Sequence, residues 1–469
     1  MANRTPASVK WIQAAAAWLP FADAASADLP LSRLLRLALF QVSVGMAMVL
    51  LNGTLNRVLI VELDAPAWVV ALLIAVPLLV APFRALIGHK SDTHRSVLGW
   101  RRVPYIWFGT MMQFGGLAIM PFALLLLGKP ETFTLGLISA AVAFLLTGTG
   151  IHTTQTAGLA LATDLAPEDK RPRAVALLYV MLLIGMMISA FVIGGLLVDF
   201  TATRLVQVIQ GAAVFTLWLN VVALWKQEAR NKELTAPDRE TPAFADLWRA
   251  FVNDGRNARL LTAIGIGAAG FAMQDVLLEP YGGEVLGLSV GATTALTGAW
   301  AAGALLGFVL SGRALSRGDD PLRVAGAGLV TGIAAFLLIL FAAPFASVTM
   351  LFGGALAIGL GLGLFSVGTL IEAMSIAKSE TAGLALGAWG AVQATCAGVA
   401  VALGGAIRDI VANLGGASEA ARATGYTAVY SIEILLLLIG LIAIGPLVGR
   451  QRNTGEHAPA KFELREFPT

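Results

Sequence analysis

Seven ionisable side chains stand inside long apolar runs of this chain: Arg57 and Glu62, His152, Asp275 and Glu279, Glu372, and Glu433. A charge at bilayer depth is costly, so such groups face a polar interior and are functional candidates by default. Arg57, Asp275, Glu279 and Glu372 are the candidate cavity charges; Glu62 and Glu372 lie within a turn or two of a loop, where the alternative is that they reach water. The stretch "GTGIHTTQTAG" (148–158) holds His152, the one histidine of four that falls well inside an apolar run, with Gln155 and four threonines around it. Small residues with Thr and Gln commonly serve hydrogen bonding across a close helix contact. Asn52, Asn56 and Gln274 are further neutral oxygen and nitrogen groups on the same kinds of segment. No nucleotide-binding loop, nucleophile elbow, metal-ligand cluster or paired acidic motif accompanies them, so no enzyme is expected, and the single cysteine, Cys396, excludes a disulfide framework.

The elements that must position these groups are membrane helices. The chain has 469 residues, 57% hydrophobic and 13% charged, with mean hydropathy +0.78. Soluble domains carry about a quarter charged residues. Twelve apolar stretches are long enough to cross a bilayer: 34–61, 66–87, 104–127, 133–163, 174–198, 203–225, 258–281, 290–311, 322–343, 346–377, 383–407 and 425–448. No apolar core with a small-residue cleavage site marks the start, so no cleaved signal peptide is expected. If both ends are cytoplasmic, 27 of the 32 basic residues lie on that face, and the other keeps Arg57, Lys129, Arg204, Arg408 and Arg422. That asymmetry favours cytoplasmic termini. The net charge of +3 is modest, and no nucleic-acid partner is expected.

The run repeats itself. "GHKSD" (88–92) follows the second span as "GRALS" (312–316) follows the eighth, and "VIGGLLVDF" (192–200) closes the fifth as "ALGGAIRDI" (402–410) closes the eleventh. The expected organisation is an N-terminal segment 1–32, a six-helix half 33–226, a linker 227–257, a second half 258–449 and a tail 450–469. The linker carries Phe244, Leu247, Trp248 and Phe251 at helical spacing, as an interfacial helix would, and 7–19 with Trp11 and Trp18 could lie on the membrane likewise. Two parallel six-helix halves make an all-α membrane protein of the major facilitator type. In that fold spans 1, 4, 7 and 10 line the cavity, which takes in every buried ionisable group above except Glu433. The glycine pair of "GMMISAFVIGG" (185–195) is expected to pack span 5 closely against span 11.

Gly88-x-x-x-Asp92, with Arg95 and then Gly99-x-Arg101-Arg102, resembles the facilitator signature between spans 2 and 3. The resemblance implies a cytoplasmic latch formed by Gly88, Asp92, Arg101 and Arg102. Three extra residues separate its two parts, and Ser316 stands where the second copy should have its acid. "DLAPEDKRPR" (164–173) offers acids that could pair with Arg101 or Arg102. A narrower resemblance covers residues 19 to 449. The blocks "LPFADAASADLPLSRLLRLALFQVSVGMAMVLLNGTLNRVLIVEL" (19–63), "SDTHRSVLGWRRVPYIW" (91–107) and "TDLAPEDKRPRAVALLYVMLLIGMM" (163–187) are similar to the PucC/LhaA family of photosynthetic bacteria.

That resemblance implies a multi-pass protein of the bacterial inner, intracytoplasmic photosynthetic membrane that assists assembly of light-harvesting complexes. It would bind or deliver bacteriochlorophyll to antenna polypeptides, with the reaction centre as a further candidate partner; a secondary transporter of a small solute or tetrapyrrole is the alternative. On this reading His152 is the candidate axial ligand to the magnesium of bacteriochlorophyll, with Gln155 or Thr156 orienting it. Gly148, Gly150 and Gly158 would make room for the macrocycle, and Asn52, Asn56 and Gln274 are further pigment-binding candidates.

Overall fold

In the computed structural model the described residues are 29–79, 87, 91, 99–167, 170–229, 255–376, 382–414 and 419–449. Gly88 and Asp92 of the expected latch, and the expected interfacial helices at 7–19 and 244–251, lie outside them. Twelve helices follow in order among the described residues: α1 (Leu31–Glu62), α2 (Ala67–Leu79), α3 (Val103–Leu127), α4 (Phe133–Leu165), α5 (Arg171–Leu196), α6 (Ala202–Leu224), α7 (Gly255–Glu284), α8 (Val290–Ser316), α9 (Pro321–Ala342), α10 (Val348–Ile376), α11 (Ala382–Leu414) and α12 (Glu419–Ile444). Eleven are long and apolar enough to cross a membrane, and α2 is a shorter apolar helix.

Their ends follow from local chemistry. Thr201 accepts the Arg204 N–H at 3.1 Å to start α6, and Ser289 accepts from Ala292 at 3.3 Å to start α8. Asp320 takes the Leu322 and Arg323 N–H groups before α9, with Pro321 in the first turn where its missing donor costs nothing. Side chains such as Phe122, Trp218 and Ile442 project outward, 54–72% exposed, as a lipid-facing surface requires.

The two halves repeat one packing scheme. α1 packs on α5 and α6, and α7 packs on α11 and α12; α3 packs on α4 and α6, and α9 on α10 and α12; α2 packs on α4, and α8 on α10. The halves join through α2 against α11 and α5 against α8. The expected pairing of α5 with α11 is therefore corrected. A Cβ on Gly194 of α5 would stand 2.8 Å from the Gly291 carbonyl of α8, and one on Gly405 of α11 would stand 2.6 Å from the Ala67 carbonyl of α2. One glycine of each pair serves the seam between halves, because bare backbone alone permits so close an approach.

The side that carries the start of α1 and the end of α6 is called the tail side below, and the opposite one the far side. Helices α1 and α7, first in each half, are both irregular towards the far side. α1 passes into π-helix at Val49–Leu55 and again at Val58–Glu62. α7 stops at Ala272, runs through a 3-10 turn at Met273–Val276, and resumes at Leu278. Inserted π turns and mid-helix 3-10 turns recur at functional sites.

Candidate functional site

A broken helix in a membrane frees backbone groups that lipid cannot satisfy. Around the α7 break, side chains supply the partners. The Gln274 N–H donates to Glu433 Oε1 of α12 at 2.7 Å, and Asn56 Nδ2 of α1 donates to the Asp275 carbonyl at 3.3 Å. Asn56 Nδ2 also reaches Glu279 Oε2 at 3.3 Å, and the Thr297 hydroxyl of α8 donates to Glu279 Oε1 at 2.7 Å. Gln274 Nε2 donates to Asp275 Oδ1. The result is one connected polar cluster on α1, α7, α8 and α12. Asn56, Gln274, Glu279 and Glu433 are buried in it, and Asp275 is half-buried.

The cluster also joins the halves. Thr54 and Thr294 hydroxyls meet at 3.2 Å, and Arg57 Nη2 donates to the Leu288 carbonyl at 3.2 Å while Nη1 pairs with Glu62. Nearer the far surface, the Trp68 N–H of α2 donates to Asp409 Oδ2 of α11 at 2.7 Å. Arg408 holds Asp409 at 2.8 Å, pairs with Glu284, and stacks its guanidinium 4.8 Å over the Tyr426 ring. Among the described residues, these bonds between halves lie on the far side of the molecule. A cavity of about 240 Å³ opens there between Asp64, Trp68, Glu284, Arg408, Asp409 and Arg422.

Tail-side groups act within each half. Arg101 Nη2 and Arg102 Nε both meet Asp164 Oδ2 at 2.9 Å, and Arg102 Nη1 donates to Ser91 Oγ at 2.6 Å. Glu228, past the end of α6, takes the backbone N–H groups of Arg101 (2.7 Å), Arg102 (3.0 Å) and Val103 (2.8 Å) at the start of α3. Nothing in the sequence pattern pointed to Glu228; it lies 125 residues from Val103 and outside any cap spacing. Arg33 Nη2 donates to the Gln227 carbonyl at 2.6 Å, fastening the start of α1 to the end of α6.

The candidate cavity charges therefore separate. Arg57, Asp275 and Glu279 gather on the far side, whereas Glu372 pairs with Arg256 at 2.9 Å near the tail-side ends of α10 and α7. Glu433, placed by its span number outside the cavity set, belongs to the cluster.

His152 stands apart. The residue is half-buried and Gln155, one turn on, is buried. Gly158 lies against the Phe40 ring of α1, so His152 is level with the middle of that helix. At 1.5 Å per residue Asn56 stands roughly 15 Å nearer the far side. Asn52 is half-buried on the first π segment. The pigment candidates thus do not converge on one point. Nor do the glycines leave a slot. A Cβ on Gly148 would lie 2.5 Å from Pro77 Cγ, one on Gly150 2.5 Å from the Gln113 nitrogen, and one on Gly158 2.6 Å from Phe40 Cε2. Their bare faces are filled by α2, α3 and α1, so a macrocycle does not fit against them.

Twelve helices in two like halves, with inner helices broken around buried charge, define a protein of the major facilitator fold. A bacterial homologue of the human lysosomal transporter Spinster shares it with a TM-score of 0.65 at 16% identity, covering 88% of this chain and 95% of that one. The chain belongs to the PucC family: the family model described as "PUCC protein" matches residues 54–452. "Protein PucC" of Rhodovulum sulfidophilum is 57% identical over 402 residues, 84% of this chain and 88% of that one. The "Uncharacterized protein in puhA-bchM intergenic region" of Rhodobacter capsulatus is 54% identical over 467 residues, 96% of this chain and 97% of that one.

Proposed function

We propose that this protein is a membrane assembly factor for bacterial light-harvesting complexes, handling bacteriochlorophyll as the pigment meets antenna polypeptides. Membership of the PucC family along most of the chain carries the reading. The fold supports a non-enzymatic role, since among the described residues its charged groups serve helix packing and the seam between halves. The proposed location is the photosynthetic inner membrane, with both termini in the cytoplasm. The tail side then faces the cytoplasm and the far-side seam the periplasm.

His152 is the proposed magnesium ligand on this reading, through a neutral imidazole nitrogen. The filled glycine faces exclude a pigment pressed onto that side of α4, so the macrocycle would have to approach the exposed edge of His152. Deleting the gene tests the function. Assembled antenna complex should fall while mature bacteriochlorophyll is still made. Accumulation of a pigment precursor with no mature pigment would replace this reading with an enzymatic one.

A further inference from the structure

Glu433 is fully buried in α12, and its carboxyl is only half engaged. Oε1 accepts the Gln274 N–H at 2.7 Å, while Oε2 meets no hydrogen-bond partner among the described residues. A carboxylate in that position would be a bare charge at membrane depth, which is strongly unfavourable unless paired. The cations on neighbouring elements are already committed. Arg57 on α1 is bound to Glu62 and the Leu288 carbonyl, and Arg408 on α11 to Glu284 and Asp409.

The other titratable groups around α12 do not neutralise it either. α7 brings two more acids, Asp275 and Glu279, and Tyr281, whose hydroxyl donates to the Ile339 carbonyl. α12 itself brings Tyr426, committed to Glu284, and the buried Tyr430. α11 brings Cys396, which lies against Gly265, nine residues back along α7. The ionisable residue of α9, Arg323, is at its tail-side start. No three His, Cys, Asp or Glu side chains converge closely enough to hold a metal ion among the described residues.

We infer that Glu433 is a proton-binding site built into the break of α7, carrying its proton on Oε2 while the far-side seam is closed. Glu279, by contrast, meets a hydrogen-bond partner at each of its oxygens, Asn56 at one and Thr297 at the other. Loading transfers H⁺ from water to the Glu433 carboxylate and makes no other bond. Asp275, half-buried, is the least enclosed acid of the cluster. Parting the halves would break the Asn56–Glu279 and Thr54–Thr294 contacts and wet the cluster, and a hydrated carboxyl releases its proton more readily. The closed form therefore binds the proton more tightly, so acid favours closure and alkali favours opening. This holds whatever the cargo, and stands apart from the assembly reading.

Spin labels test it on the full chain in lipid nanodiscs. With Cys396→Ala as background, labels go at Val198→Cys and Leu414→Cys, both exposed near the far ends of α5 and α11. Electron–electron distances should show one short population in acid and a second, longer one growing in alkali. Glu433→Gln, neutral at every pH, should keep the short population throughout, and Glu433→Asp should restore the pH response. Infrared spectra should lose one protonated-carboxyl component in Glu433→Gln. Distances in the parent that ignore pH, a Glu433→Gln profile that titrates like the parent, or an unchanged carboxyl band would each overturn the inference. So would populations that follow sodium rather than pH.

Discussion

Glu228→Ala removes the acceptor for three consecutive N–H groups at the start of α3. A side-chain cap of this kind stabilises a helix start by about 1 kcal/mol, and a negative charge at the positive helix end adds about 0.3–1 kcal/mol. All three hydrogen bonds are lost together, and the half-buried site gives water only partial access, so a total of about 2 kcal/mol is expected. If Arg101–Val103 exchange their amide hydrogens by local opening, that loss speeds exchange roughly 30-fold. Hydrogen exchange read by mass spectrometry on the peptide spanning 99–106 measures it, with 133–150 of α4 as an internal control. Glu228→Gln, which keeps both the length and an acceptor oxygen, should fall between. The Arg101–Asp164 and Arg102–Asp164 pairs remain in all three proteins and so do not contribute to the difference. Equal exchange in Glu228→Ala and the parent would refute the assignment of Glu228 as the cap of α3.

Two further outcomes are expected. Reporter fusions after Lys129 and after Pro242 should report opposite sides of the membrane, periplasmic and cytoplasmic; the same side for both would overturn the proposed orientation. His152→Phe should lower bound bacteriochlorophyll, or shift its long-wavelength absorption, at an unchanged level of folded protein; an identical pigment yield and spectrum would remove His152 as the ligand.

The amino-acid sequence by itself determined the number of helices, their approximate limits and the division into two like halves. Those features rest on local quantities, since about 20 apolar residues in a row favour the bilayer wherever they occur in a chain. It also put the acids of 164–173 within reach of Arg101 and Arg102, because both loops had to lie on one membrane face, and the structure selects Asp164, at 2.9 Å from each. Partner choice across helices was another matter. Glu372 and Glu279 look alike along the chain, yet one pairs with Arg256 near the tail side and the other joins Asn56 at the far-side seam. Glu433, set aside by its span number, completes the broken backbone of α7, and Glu228 caps a helix 125 residues away. The glycines of α4, which read as space for a ligand, are occupied by Pro77, Gln113 and Phe40. Hydropathy is a property of each segment against lipid, whereas these contacts are made between segments. Only the packing of the helices, within each half and across the seam of α5 on α8 and α2 on α11, decided which polar groups would meet.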